Sequence, residues 1–387
     1  MKIALLWHTP NSDNLGVSAL AIANLTLINK ALKELDIKHE FVFVGTAGSK
    51  GMEVIRELSS ALSVDISFEK YSLKGIVAKL ARLDRSGLNI FSDFDYVFDI
   101  GEGDSFTDIY GFKRLLNMTL SKLHVVYSGS NLVLSPQTIG PFESWISRKL
   151  GNFCIGKAKK VFVRDNLSAE YLEKNSIDYT LTTDVAFELP FDKLDRVSQR
   201  KTVGLNVSGL LYSGGYSQNN QFGLKFDYAE FIDKLVVELI EKDYEVILVP
   251  HVTPMSIPYE DDHAASLVVS RKFNLEIPDR FETPMDAKSF MSGLDFVIAA
   301  RMHAAIGALS SGTPVVPISY SRKFIGVFGH IGYDYVLDPR TLELEDIISK
   351  IISHLQSTQI CKDAMCAVKN AKALNHNYFE ELKQLLK

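Results

Sequence analysis

Hydrophobic residues along the chain occur in short blocks separated by amphipathic stretches. Residues 3–7 and 41–44 are compact apolar runs, and residues 17–35 between them carry apolar side chains at helical spacing. Short buried strands that alternate with helices are typical of a parallel sheet covered on both faces. The pattern therefore predicts an α/β protein.

The same pattern continues, and each predicted strand runs into a polar or glycine-bearing loop. Further strands are predicted at residues 96–100, 125–127, 132–134 and 161–163. Ligands of open α/β sheets bind outside the carboxyl ends of the strands. We therefore expect Asn14, the loop at residues 101–104 and Arg164 to share one rim.

The polar, charged composition of residues 189–202 predicts an interdomain linker. A second set of strands follows at residues 203–207, 246–250, 296–299 and 314–318, and two amphipathic helices follow at 342–355 and 362–386. We predict two Rossmann-like, doubly wound domains facing a cleft, an arrangement of the GT-B type. The first spans residues 1–195 and the second 196–340. The C-terminal helices, 341–387, either pack back on the first domain or form a dimer face.

The composition of the chain limits which partners the protein could bind and in which cellular compartment it would act. The net charge of −5 on 387 residues gives no basic field for nucleic acid. Three cysteines, at positions 154, 361 and 366, form neither a disulfide framework nor a zinc-ligand pattern. The N-terminal apolar run is too short for a signal peptide, and no apolar run reaches the length of a transmembrane helix. These features lead us to expect a cytoplasmic protein without a membrane span.

The strongest chemical signal lies where a strand ends and a small-residue helix begins. Arg301, Met302 and His303 occupy that junction, and the next strand ends at Tyr320 and Lys323. A helix start offers unpaired N–H groups and a positive dipole end, and an adjacent arginine makes it suitable for a phosphate. A local capping or ion-pairing role for the same side chains remains an alternative.

This block, RMHAAIGALSSGTPVVPISYSRK, resembles the C-terminal signature of the polysaccharide pyruvyl transferase family. Other segments resemble motifs of that family in the same order along the chain: Asn14-Leu15-Gly16, Gly101-Glu102-Gly103, SPQTIGPF at 135–142, Arg164-Asp165 and TDVAF at 183–187. The resemblance covers about residues 1–335.

The resemblance implies an enzyme with two Rossmann-type domains. Members move the pyruvyl group of phosphoenolpyruvate onto two hydroxyls of one sugar, form a cyclic ketal and release phosphate. The acceptor is a sugar or lipid-linked glycan of a cell-surface or exopolysaccharide precursor. Phosphoenolpyruvate is the donor, and neither a cofactor nor a metal is expected. Peripheral membrane contact stays open, and the sequence defines no oligomeric state.

Roles follow for individual residues. The negative donor calls for Arg164, Arg301, Lys323 and the helix start at Met302. His303 is expected to act as a general acid or base, because imidazole titrates near neutral pH. Asp13 or Asp104 would take the other proton-transfer role. Further substrate contacts are expected from Asn14, Gly16, Gly103, His251 and Tyr320.

Two departures from the family pattern keep other functions open. Val17 stands where the family has an aspartate, and Glu102 puts a charge into the glycine-rich loop. A GT-B glycosyltransferase that uses a nucleotide sugar and a non-catalytic relative that binds a glycan or anion are the alternatives. The fold does not separate these classes. Tyr320 and Lys323 suit a small anion better than a ribose.

Overall fold

The computed structural model describes residues 1–45, 51–80, 82–84 and 86–387. The chain divides into two compact units. Unit 1 contains Met1–Ser12, Leu20–Val185 and Ala373–Lys387, and unit 2 contains Asp13–Ala19 and Ala186–Lys372.

Unit 1 is built on a seven-stranded parallel sheet in the order β3-β2-β1-β4-β5-β6-β7. The strands are β1 (Lys2–Leu6), β2 (Glu40–Gly45), β3 (Asp65–Lys70), β4 (Tyr96–Asp99), β5 (Asn131–Gln137), β6 (Lys160–Val163) and β7 (Thr180–Leu181). Ala4 of β1 is aligned with Val42 of β2 and with Val97 of β4. The central strands are mostly apolar and buried because both faces of the sheet are covered. The chain order reverses between β1 and β4, and such a switch point is where open α/β sheets bind ligands.

Helices complete this unit. They are α1 (Leu15–Glu34), which belongs to this unit from Leu20 onward, α2 (Gly51–Leu62), α3 (Leu73–Leu80), α4 (Phe112–Tyr127), α5 (Trp145–Ile155) and α6 (Asn166–Lys174). The apolar run at residues 125–127, predicted as a strand, is the last turn of α4. That prediction was wrong. A three-residue apolar run does not by itself distinguish a strand from a helix end.

Unit 2 has a four-stranded parallel sheet in the order β11-β10-β8-β9. Its strands are β8 (Thr202–Asn206), β9 (Glu245–Leu248), β10 (Phe296–Ala299) and β11 (Val315–Pro317). Its helices are α7 (Gly209–Tyr212), α8 (Tyr228–Glu241), α9 (Asp262–Phe273), α10 (Pro284–Ser292), α11 (Met302–Ser311), α12 (Arg322–His330), α13 (Leu344–Gln356) and the first part of α14 (Gln359–Leu386). The switch point of this sheet lies between β8 and β10. Both C-terminal helices occur where the amphipathic pattern predicts them.

The bounds of the units differ from the predicted domain limits in three places. The long central segment of unit 1 ends at Val185, residues 13–19 group with unit 2, and α13 belongs to unit 2. Backbone contacts explain the second difference. Asn14 forms an isolated antiparallel bridge with Val252, and the N–H of Thr253 donates to the carbonyl of Asp13 at 2.8 Å. The last segment of α14 belongs to unit 1, where Tyr96 donates its hydroxyl to the carbonyl of Leu385.

One described helix, α1, has the length and apolar character that a membrane span requires. Its most apolar 18-residue window has a mean hydropathy of 1.5, but 83% of that window is buried inside the protein. Burial of this kind is ordinary for a core helix.

Candidate functional site

The first residues of α11 form the centre of the site in unit 2. Strand β10 is buried throughout and leads directly into Arg301, which occupies the N-cap position of α11. The side chain of Arg301 makes no capping hydrogen bond to the first turn of this helix. The main-chain N–H of Arg301 donates to Oδ1 of Asn206 at the end of β8, at 2.9 Å. The helix start is thereby fixed at the switch point of the sheet, where an anion meets the positive end of the helix dipole.

Arg301 is held by a buried carboxylate. Its Nη2 donates to Oδ1 of Asp262 at 2.7 Å and to the carbonyl of Glu260 at 3.0 Å, and its Nε donates to Asp262 at 3.1 Å. Asp262 is fully buried and also accepts from three backbone N–H groups, those of Gly209, His251 and Val252. Because the pair is neutral overall, this site offers directed N–H donors rather than a net positive charge.

His303 packs directly against Gly16. A Cβ built on Gly16 would lie 2.2 Å from Nδ1 and 2.5 Å from Cγ of His303. Any side chain at position 16 would displace the imidazole, so glycine is required there by close approach. The predicted Asn14–Gly16 turn and the Arg301–His303 junction, far apart in sequence, therefore meet in unit 2.

The turn that carries Gly16 is held by hydrogen bonds. Oδ1 of Asn14 accepts from the N–H of Gly16 at 3.0 Å, and its carbonyl accepts from the N–H of Val17 at 3.0 Å. The N–H of Leu15 donates to the carbonyl of His251 at 3.3 Å. Asn14 thus acts as a cap for α1, and Ser18 is buried in its first turn. The missing family aspartate at position 17 is not needed to start this helix.

His251, His303 and Lys288 line one small cavity in unit 2. Its volume is about 10 Å³, enough for about one water molecule. Burial, reinforced by His303 and Arg301, lowers the pKa of His251 to about 3. Nδ1 of His251 has no hydrogen-bond partner among the described residues. His251 is therefore a neutral imidazole beside His303.

Lys288 was not anticipated from the sequence. It is 1% exposed, and its Nζ donates to the carbonyls of Leu189 at 2.8 Å and Phe187 at 3.3 Å. Burial lowers its pKa to about 7, against the opposing effect of Glu188. The amine beside the two histidines therefore titrates near neutral pH.

The end of β11 brings an aromatic side chain to Arg301. Burial and the charge of Asp262 raise the pKa of Tyr320, which interacts with the guanidinium of Arg301. The ring of Tyr320 lies 4.7 Å from that of Phe222, centroid to centroid. Helix α12 begins at Arg322, and its N-cap Ser321 makes no side-chain cap bond. The side chain of Lys323 lies outside the part of the chain that the structure describes, so its predicted role stays a prediction.

Unit 1 contains the other predicted positions. Gly101, Glu102 and Gly103 have positive φ angles of 55°, 49° and 92°. A Cβ on Gly103 would lie 2.6 Å from Cδ1 of Leu20 and 3.1 Å from Nη1 of Arg164. The glycine therefore lets the loop pass directly over the guanidinium.

Arg164 is 1% exposed and forms a buried ion pair. Its Nη1 donates to Oδ2 of Asp184 at 2.6 Å, and its Nε donates to the hydroxyl of Thr138 at 3.0 Å. The predicted motifs at residues 135–142 and 164–165 thus meet the first residues of the 183–187 motif in unit 1, and the last two residues of that motif group with unit 2. Like Arg301, Arg164 already has a carboxylate partner, which reduces the net charge that it brings to an anion.

The two predicted carboxylates fall in different units. Asp104 belongs to unit 1, and its Oδ2 accepts from the hydroxyl of Tyr110 at 2.8 Å. Asp13 belongs to unit 2, is exposed, and precedes the turn that contacts His303. The rim predicted for the first domain is thus divided, and Asp13 is the carboxylate that shares a unit with His303.

Asp262 and Lys288 are the site residues that the sequence reasoning missed. The sequence around Asp262 does carry a recognisable pattern, because two adjacent acidic residues before an apolar stretch indicate a helix start. Its partner Arg301 could not be read from that signal. Lys288 lies inside an ordinary helical stretch and carried no signal at all. Among the described residues, no group of three or more His, Cys, Asp or Glu side chains is arranged to hold a metal ion.

Comparison with solved structures agrees with the class that the two sheets define. UDP-GlcNAc 2-epimerase from Neisseria meningitidis, bound to UDP-GlcNAc, is 12% identical with a TM-score of 0.60, and the match covers 100% of both chains. HepE of Anabaena, in complex with UDP and glucose, is 13% identical with a TM-score of 0.57 over 100% of this chain and 98% of that one. At such identities the likeness shows the fold alone. The protein is an α/β protein with two Rossmann-like units of the GT-B type.

The sequence comparison goes further than the fold. Residues 18–322 match polysaccharide pyruvyl transferase, and the chain belongs to that family. It is also similar to the amylovoran biosynthesis protein AmsJ of Erwinia amylovora, at 24% identity over 67% of this chain. The match spans 65% of the length of that relative. The resemblance inferred from the motifs is confirmed.

Proposed function

We propose that this protein transfers the pyruvyl group of phosphoenolpyruvate to two hydroxyls of one sugar in a polysaccharide precursor. The observation that carries the proposal is the contact between the Asn14–Gly16 turn and His303 in unit 2. Two family motifs almost 300 residues apart in sequence meet there, beside a helix start whose N-cap residue, Arg301, makes no side-chain capping bond. Membership of the family and the similarity to a polysaccharide biosynthesis protein support the substrate class.

The donor is bound at the start of α11 in this proposal. Phosphoenolpyruvate carries about three negative charges, and helix N–H groups with arginine forks suit its phosphate and carboxylate. The guanidinium of Arg301 orients the anion, and Asp262 holds that guanidinium in place. Because that pair is neutral, the charge of the donor is met by the helix start and by Lys323. Arg164 and Gly103 of unit 1 are proposed as further substrate contacts.

Two proton transfers are assigned to this chain. C3 of the enol gains a proton, so C2 becomes electrophilic. The first sugar hydroxyl attacks C2 and loses its proton. The C2–O bond to phosphate then breaks, and the second hydroxyl attacks C2 and closes the ketal. We assign one transfer to His303 and the other to Asp13, the carboxylate that shares its unit. The released phosphate accepts the proton of the second hydroxyl as the ketal closes, so atoms and charges balance.

The proposal uses phosphoenolpyruvate as a substrate and requires neither a cofactor nor a metal. The acceptor is a sugar or a lipid-linked glycan. Cytoplasmic action is part of the proposal, since the three cysteines are free thiols, as a reducing compartment favours. Nucleic acid is not a proposed partner.

The first test measures donor binding by thermal unfolding. A ligand that binds only the folded protein stabilises it by about 2.7 kcal/mol at a hundredfold excess over its Kd. Phosphoenolpyruvate is titrated beside UDP, with His303→Asn as the site variant. His376→Asn in α14 is the control, because His376 is exposed and lies outside the site. We expect phosphoenolpyruvate to stabilise the parent and the control, and His303→Asn to respond more weakly.

The outcomes are distinct. A response to UDP without one to phosphoenolpyruvate contradicts the pyruvyl donor and supports a nucleotide-sugar glycosyltransferase. A response to phosphoenolpyruvate leads to a screen of sugar glycosides in which release of inorganic phosphate is measured. Parent protein that binds the donor but releases no phosphate with any acceptor would support a binding protein instead. Asp13→Asn should bind the donor normally and lose turnover.

A further inference from the structure

Unit 1 presents a concentration of large apolar side chains to solvent. Six of them occur in two segments, residues 109–112 and 145–153, and each is between 45% and 64% exposed. They are Ile109, Tyr110, Phe112, Trp145, Ile146 and Phe153. Single exposed apolar residues are normal, but a contiguous set marks an interaction site.

Helix α5 carries part of this set in a regular stripe. Trp145, Lys149, Phe153 and Lys157 follow one another at intervals of four residues, with Lys157 just beyond the helix end. Side chains four apart lie on the same face of a helix. Nζ of Lys149 lies 5.0 Å from the ring centre of Trp145, and Nζ of Lys157 lies 5.5 Å from that of Phe153. Aromatic rings and ammonium groups thus alternate along one exposed line.

Hydrogen bonds and a ring contact hold the two segments next to each other. The carboxylate of Asp108 accepts from the N–H groups of Glu143 at 3.0 Å and Ser144 at 3.2 Å. The ring of Phe106 packs edge-on against that of Phe142 at 5.4 Å. These contacts join the loop before α4 to the start of α5. We call the resulting surface, residues 109–113 together with the exposed face of α5, the α5 patch.

The α5 patch is positively charged on a protein whose net charge is −5. Exposed cations on it are Lys113, Arg148, Lys149 and Lys157. The acids on the same two segments, Asp108 and Glu143, offset two of these four charges and leave an excess of two positive charges over residues 108–113 and 143–157. A positive surface that also displays Trp, Tyr and Phe is complementary to anionic lipid headgroups above an apolar layer.

We propose that the α5 patch binds the surface of an anionic lipid bilayer. Aromatic side chains would enter the boundary between headgroups and acyl chains, while the lysines contact lipid phosphates. A second copy of this chain is the weaker occupant. A twofold contact would place two positive stripes face to face, and like charges at that distance repel.

The experiment uses the full chain and vesicles, with no donor or acceptor present. Its outcome is therefore independent of the proposed transfer reaction. Flotation is compared on vesicles of phosphatidylcholine alone and of phosphatidylcholine mixed with phosphatidylglycerol. We expect binding to the mixed vesicles that weakens with salt. Trp145→Ala with Phe153→Ala should reduce the partition coefficient about tenfold or more.

Controls separate the patch from general surface effects. Met365→Ala in α14 removes a side chain that is 65% exposed, against 64% for Trp145, and should leave binding unchanged. Lys149→Glu with Lys157→Glu should abolish binding to mixed vesicles, whereas Lys149→Arg with Lys157→Arg should retain it. The chain has two tryptophans, so a Trp7→Phe background reports Trp145 alone, whose emission should shift to the blue on binding.

Three results would overturn the proposal. The first is no binding to mixed vesicles. The second is a lack of specificity: either the aromatic and charge-reversal variants bind mixed vesicles as well as the parent does, or the parent binds neutral vesicles as well as mixed ones. The third is self-association by light scattering that disappears in Trp145→Ala with Phe153→Ala, which would assign the patch to a second copy of the chain.

Discussion

Replacement of Gly16 by alanine tests the contact on which the proposed site depends. Gly16 lies in the first turn of α1, where alanine is favoured over glycine by about 0.8–1 kcal/mol in helix propensity. The added methyl would lie 2.2 Å from Nδ1 of His303, while an ordinary contact is about 3.5 Å. The imidazole must therefore move by about 1 Å.

The expected cost follows from that displacement. Overpacking of this kind destabilises by about 1–3 kcal/mol, which outweighs the gain in propensity. A catalytic group displaced by about 1 Å loses about a hundredfold in rate. We expect Gly16→Ala to unfold at lower denaturant, to bind phosphoenolpyruvate more weakly and to lose most of any transferase activity.

The stability of Gly16→Ala is measured by urea unfolding and compared with that of a matched glycine-to-alanine control. Gly329 lies in helix α12 of the same unit, and a Cβ there meets nothing within 4 Å. Gly329→Ala should gain up to about 1 kcal/mol from propensity alone. A second variant, His303→Gly, removes the ring and also the Cβ, which would lie 2.7 Å from the added methyl. In that background Gly16→Ala should no longer destabilise. If Gly16→Ala were as stable as Gly329→Ala, the packing of His303 on Gly16 would be refuted.

Three other perturbations follow from buried charges and glycines. Asp262→Asn leaves Arg301 without its buried counter-charge and should cost about 3–5 kcal/mol in urea unfolding, and a loss under about 1 kcal/mol would contradict the pairing. Lys288 stays protonated up to about pH 10.5 in the unfolded chain but only to about 7 in the folded protein, so the free energy of unfolding rises with pH between these values. From pH 7 to 9 the parent should gain about 2 kcal/mol of stability relative to Lys288→Met. Equal pH slopes of the two proteins would contradict the lowered pKa. Gly103→Ala combines a φ of +92° with a Cβ 2.6 Å from Leu20 and should cost about 2–4 kcal/mol, so near-parent stability would argue against the loop geometry at Arg164.

Much of the fold was accessible from the order of the residues. Apolar runs at residues 3–7, 41–44 and 296–299 became strands, because a strand buried on both faces must be apolar along its whole length. The helical spacing at residues 342–355 and 362–386 became α13 and α14. The short run at 125–127 failed because three apolar residues fit the last turn of a helix as well as a strand. The order of the motifs along the chain was sufficient to identify the family.

Tertiary structure decided how the site residues are paired. Arg301 and Arg164 appear in the sequence as free cations, yet each has a buried carboxylate partner, Asp262 and Asp184. The lowered pKa of Lys288 exists only because folding removes its amine from water. Sequence periodicity reports which face of an element is buried, since that depends on near neighbours along the chain. Ion pairs, close approaches such as His303 on Gly16, and shifted pKa values depend on groups far apart in sequence, so only the packed chain defines them.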